Sequence, residues 1–111
     1  MTDEDKELIL LSAKAMGYEG TWIEPYGEFI RPDEGFPIIW NPLTSSADCF
    51  AMECQLEIDV VWFDGDKEVC AMKSWQNELE EISCTELYIN DKPAARRRAS
   101  TRVAAEMGRL K

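Results

Sequence analysis

The chain contains no histidine. That removes serine–histidine and cysteine–histidine nucleophile pairs, along with the side chain that most often serves as a general base near neutral pH. Carboxylates and lysines remain, so catalysis is not excluded, but its commonest constellations are. Long apolar runs are missing too. None approaches the ~18 residues needed to cross a bilayer, and the longest near the start, Leu8–Leu11, follows Asp3, Glu4, Asp5 and Glu7. A secretory leader opens on basic residues and continues through a longer apolar stretch. Neither is present, so the expectation is a protein with no membrane association that stays in the compartment where it is made. Closely spaced metal-ligand pairs are also absent. The four cysteines, Cys49, Cys54, Cys70 and Cys84, are separated by 5, 16 and 14 positions, whereas zinc sites pair their ligands two to four residues apart. No metal or other cofactor is expected, and the cysteines read as reduced thiols acting as small buried hydrophobes.

What is present suffices for one folded domain over residues 1–111. A chain of 111 residues buries roughly two-thirds of the surface its unfolded form exposes. The 45% apolar content, with four tryptophans, supplies a core. Thr2 with Asp5 forms a variant capping box, and Leu8, Ile9, Leu11, Ala15 and Met16 follow at helical spacing. A helix over 3–16 ending at Gly17 is predicted. Residues 18–42 are broken by Gly20, Pro25, Gly27, Pro32, Gly35, Pro37 and Pro42, leaving short strands at 21–23, 28–31 and 36–40, with the prolines confined to edges or ends. A second helix, capped by Thr44 or Ser45, runs from Ser46 to Gln55. Its apolar face is read as Ala47, Phe50, Ala51 and Cys54. Strong strand patterning follows over 58–63 and 69–72, joined by Asp64-Gly65-Asp66, where glycine accepts a positive φ cheaply. A third strand is read over 79–84. Asp91 and Pro93 open a last helix whose buried face is Ala95, Ala99, Val103, Met107 and Leu110. The predicted class is α+β, a small layered sandwich of three helices on an antiparallel sheet.

The run WNPLTSSADCFAMECQLEIDV, residues 40–60, resembles the central signature of the phage ABA sandwich domain family. The closing run RRASTRVAAEMGRLK and the earlier A-K-A-M-G fit the same plan, so the likeness covers nearly the whole chain. It departs at Ser45-Ser46-Ala47, where the family often carries an acidic, glycine-containing turn. The resemblance implies a phage or prophage origin, hence a bacterial host cytoplasm, and helices layered on an antiparallel sheet. It implies no activity. Physically, the signature residues Trp40, Asn41, Pro42, Thr44 and Asp48 read as structural: Pro42 fixes the approach to the second helix, Trp40 anchors it, and Thr44 and Asp48 close its first turn.

Charge is sharply divided. Residues 92–111 carry seven basic side chains and one acid, giving +6. The other 91 residues carry five basic and twenty-one acidic ones, giving −16. Arg98, Arg102 and Arg109 line one flank of the last helix, and Arg97 is expected to point away from the core. Three uses compete for these arginines. They could meet phosphates of a nucleic acid, dock the helix on its own acidic body, or contact a partner protein or a second copy of the chain. A body at −16 repels phosphate, which disfavours nucleic acid. The acids at Asp64 and Asp66 read as turn chemistry, and those at Glu78, Glu80 and Glu81 form no calcium-loop pattern. The leading expectation is a non-catalytic module that binds a host or phage protein. The alternatives are nucleic-acid binding through the last helix, or an acidic surface that mimics DNA.

Overall fold

The three helices among the described residues each begin at an expected cap. The computed structural model describes residues 2–75 and 81–111. Thr2 Oγ1 accepts from the Asp5 amide at 3.1 Å and opens α1 (Asp3–Ala15). Ser45 Oγ accepts from the Asp48 amide at 3.1 Å and opens α2 (Ser46–Leu56). Asp91 Oδ1 accepts from the Ala94 amide at 3.0 Å and opens α3 (Lys92–Arg109), with Pro93 in the first turn. Each cap satisfies an amide that the helix itself leaves unpaired.

The strands form two antiparallel meanders. β1 (Thr21–Ile23), β2 (Glu28–Asp33) and β3 (Phe36–Ile39) make one sheet; β4 (Asp59–Phe63), β5 (Glu68–Ser74) and β6 (Glu81–Leu87) make the other. The fold is therefore α+β as expected, but with two sheets in place of one. Every strand pairs with its neighbour in sequence, and α2, lying between β3 and β4, separates the two sets. Residues Leu79 and Glu80 of the anticipated third strand, and Glu78 of the acidic cluster, lie outside the described residues.

Two local expectations need correction. Pro32 sits in β2, the middle strand, although proline was expected only at edges or ends. It is tolerated because β1 reaches only as far as Ile30, so Pro32 faces Pro37 of β3 and no strand on its other side. In the β4–β5 connection the residue with positive φ is Lys67 (φ 56), not Gly65. The Asp66 amide closes a turn on Phe63 O, and Lys67 then takes the left-handed position that returns the chain to β5.

Helix α3 is the hub. It packs against α1, α2, β5 and β6. Ala95, Ala99, Ser100, Thr101, Val103, Ala104, Ala105 and Gly108 are all buried, so it is enclosed on several sides and not along a single stripe. Met107 is only half-buried and Leu110 is exposed, against expectation. Small residues let α1 come close. A Cβ added at Gly108 would lie 2.0 Å from Leu11 O. Contacts of Asp5 with Arg98, Leu11 with Gly108 and Ala15 with Lys111 show the two helices running side by side in the same direction.

The buried face of α2 also differs from the expected one. Cys49, Met52 and Glu53 point inward, while Ala47, Phe50, Ala51 and Cys54 are exposed. Two stripes of helical spacing compete in this segment, and the one containing Glu53 is buried because Arg96 and Ser100 partner its carboxylate. All four cysteines are free; Cys49 and Cys70 are buried, Cys84 is half-buried and Cys54 is exposed, so Cys54, contrary to expectation, lies outside the core. Burial, and next the adjacent Glu53 carboxylate, push the Cys49 thiol up to about 12. Iodoacetamide at neutral pH should therefore label Cys54 first and leave Cys49 and Cys70 untouched. Denaturation without reductant should expose four sites by mass spectrometry, and a count of two would overturn the free-thiol state.

Candidate functional site

The corner from Trp40 to Asp48 is built around one buried indole. Trp40 is 2% exposed and meets Tyr18 and Phe29 edge-on, with ring centroids 5.3 and 6.3 Å away. Asn41 organises the turn that follows. Its Oδ1 accepts from the amides of Leu43 (2.9 Å) and Thr44 (3.3 Å), and its own amide donates to Asp48 Oδ2 at 3.0 Å. Pro42 is fully buried. Thr44 contributes only its backbone, because Ser45 supplies the cap. These bonds hold the turn together from within the corner itself.

The arginines of α3 are engaged with the body. Arg96 forms a two-pronged pair with Glu53, through Nε at 3.1 Å and Nη2 at 2.9 Å. Glu53 is 5% exposed and also accepts from Ser100 Oγ, so a buried carboxylate is fully partnered. Arg98 reaches Glu4 at 3.0 Å and Asp5 at 2.8 Å, and the bond to Asp5 holds its pKa above the usual value. Arg102 pairs with Glu86. Arg109 pairs with Glu7 at 2.7 Å and Glu106 at 3.0 Å. Arg97 differs: it donates to Leu43 O (2.9 Å) and Ser46 Oγ (3.0 Å), both neutral. Contrary to the expectation that it points away from the core, it ties α3 to the start of α2.

Between these elements lies a cleft of about 600 Å³ lined by residues of α2, β4, the β4–β5 turn and α3. Its walls include Phe50, Glu53, Trp62, Asp64, Lys92 and Arg97. The cleft thus brings Arg97 together with the end of the signature corner. Arg98, Arg102 and Arg109 lie elsewhere, toward α1 and β6. One wall is fixed by a small network in which Tyr88 Oη donates to Asp64 Oδ1 at 2.6 Å and Lys92 Nζ sits 3.5 Å from the same oxygen. Lys92 also lies over the rings of Tyr88 (4.8 Å) and Trp62 (5.4 Å). The bond from Tyr88 and the charge of Lys92 lower the Asp64 pKa, while that bond pushes the Tyr88 hydroxyl up to about 12. Sequence reading missed Glu53, Trp62, Tyr88 and Lys92. Of these, only Glu53 carried a signal, since it shares a helical face with Cys49 and Met52.

A second candidate surface is the outer side of the β4–β5–β6 sheet. Val60 and Trp62 turn inward, so Val61 and Phe63 face out, and Leu87 lies on the same side across Glu68. Val61, Phe63 and Leu87 are exposed, Leu87 at 64%. No helix among the described residues is long and apolar enough to cross a membrane. The chain matches no family model, and no curated protein matches it.

Proposed function

We propose that this chain is a non-catalytic protein-interaction module, of phage or prophage origin, that works in the bacterial host cytoplasm. The origin and compartment rest on the sequence resemblance alone. The observation that carries the interaction reading is the outward apolar row Val61, Phe63 and Leu87 on a sheet face that no helix of the chain covers among the described residues. Large apolar side chains gathered in the open on one sheet face, here on either side of Glu68, are a feature of contact sites. Chemistry in the cleft points the same way: Cys49 is held as a thiol, Asp64 as a carboxylate and Tyr88 as a phenol at neutral pH, so none of the three titrates near the working range of a general acid or base.

A photo-crosslinking residue at Val61 or Leu87 should capture one discrete host or phage protein, and Leu87→Asp should abolish capture without changing the melt. Capture of equal strength from a control position at Lys14 would sink the reading. Nucleic-acid binding is tested by the double charge reversal Arg98→Glu, Arg102→Glu. Because these arginines pair with Glu4, Asp5 and Glu86, the reversal should lower the melting temperature. Gel shifts at low salt should show no retained nucleic acid with the unaltered protein.

A further inference from the structure

We propose that the cleft between α2 and α3 is a binding site for a small monoanionic aromatic ligand, with its carboxylate against Arg97 and Lys92 and its ring against Phe50 and Trp62. This goes beyond the docking role of the outer sheet face and uses none of that face's residues. The cleft's volume of about 600 Å³ falls within the ~300–1,000 Å³ span of ligand pockets. Its lining combines two aromatic rings, Phe50 and Trp62, with converging charged side chains, so it offers a ring-binding wall and polar groups that fix orientation.

Charge decides the class of ligand. Lys92, Arg96 and Arg97 face Glu53 and Asp64 in the lining, leaving one net positive charge in a protein whose formal charge is −10. Arg96 is taken up by Glu53, but Arg97 spends its bonds on a carbonyl and a hydroxyl. It is the one arginine of α3 without a carboxylate partner within 4 Å among the described residues. Lys92 is held at 3.5 Å from Asp64, longer than the other pairs of α3's charged-end atoms with their closest acids, and is 57% exposed. Both cations can therefore accept a further oxyanion. One surplus charge balances a carboxylate, whereas a phosphate dianion would add to the repulsion of the acidic body. The ring contacts explain why Phe50, a large apolar side chain, is 61% exposed at the rim of this cleft.

The test uses 1-naphthoate, with 1-naphthalenemethanol as the neutral analogue and 1-naphthyl phosphate as the dianion. Naphthoate should bind saturably, with a dissociation constant of about 1 mM or below, and shift the Trp62 indole signal in NMR spectra. The alcohol should bind at least about tenfold more weakly, as expected for a lost charge-assisted contact. Phe50→Ala should weaken naphthoate severalfold with an unchanged melt, and Arg97→Gln should weaken it about tenfold. Should Arg97→Gln unfold through loss of its anchor on α2, Lys92→Gln at the exposed first turn of α3 carries the charge test. Equal affinity for alcohol and acid, tighter binding of the phosphate, or shifts confined to another surface would each overturn the proposal.

Discussion

Replacing Trp40 with alanine is expected to remove about 3–5 kcal/mol of stability, the usual cost of truncating a large buried aromatic. The whole indole is enclosed, and its two edge-on partners, Tyr18 and Phe29, would face an empty space. Edge-to-face pairs add roughly 0.5–1.5 kcal/mol each beyond burial, which places the loss toward the upper end. Domains of ordinary size hold only ~5–15 kcal/mol in total. At roughly 4 °C per kcal/mol for a chain near this size, the melting temperature should fall by about 15 °C or more. A calorimetric scan that finds the transition unmoved would mean that Trp40 is not the anchor of the corner. The turn made by Asn41 and Asp48 would then have to hold α2 unaided.

Gly108→Ala should act with comparable force. The added methyl would meet Leu11 O at 2.0 Å and Leu11 C at 2.9 Å. Overpacking costs ~1–3 kcal/mol where side chains can yield, but here the obstacle is the backbone of a second helix. In an open helix the same change would gain about 1 kcal/mol, so the sign of the result separates the two situations. We expect a net loss of about 3 kcal/mol and faster amide exchange along α1, since α1 must move away from α3. A stabilised variant would show that the helices do not approach closely at this point.

The helix starts were legible in the sequence because capping is a local transaction between residues three apart. Thr2, Ser45 and Asp91 all act over that distance. Strand positions were nearly as clear, since Trp62 and Val69 announce themselves by type and alternation. The face of α2 was not legible. Choosing between the stripe with Phe50 and the stripe with Glu53 requires knowing that Arg96, 43 residues later, meets that carboxylate. The same limit applies to the cleft. Its parts come from α2, β4 and α3, and nothing in the spacing of Phe50, Trp62 and Lys92 shows that they share a wall. Expected positions for Arg98, Arg102 and Arg109, at the margins of α3 near acids of the body, agree with the structure. Only Arg97 was misplaced, because its partners are a backbone carbonyl and a hydroxyl that no charge pattern reveals.

The side-by-side packing of α1 and α3 has a consequence for time. The bonds that join them, Asp5 to Arg98, Glu7 to Arg109 and Ala15 to Lys111, span 93 to 102 positions. Contacts this remote in sequence close late, because loop entropy must be lost before they reward it. On a ribosome adding ~5–20 residues per second, α1 waits several seconds or longer before its principal neighbour exists. Through that interval Leu8 and Ile9, both buried in the finished fold, lack the helix that α1 chiefly packs against. The sheets form from adjacent strands and can assemble as they emerge, whereas the helical half of the core is completed in one late step.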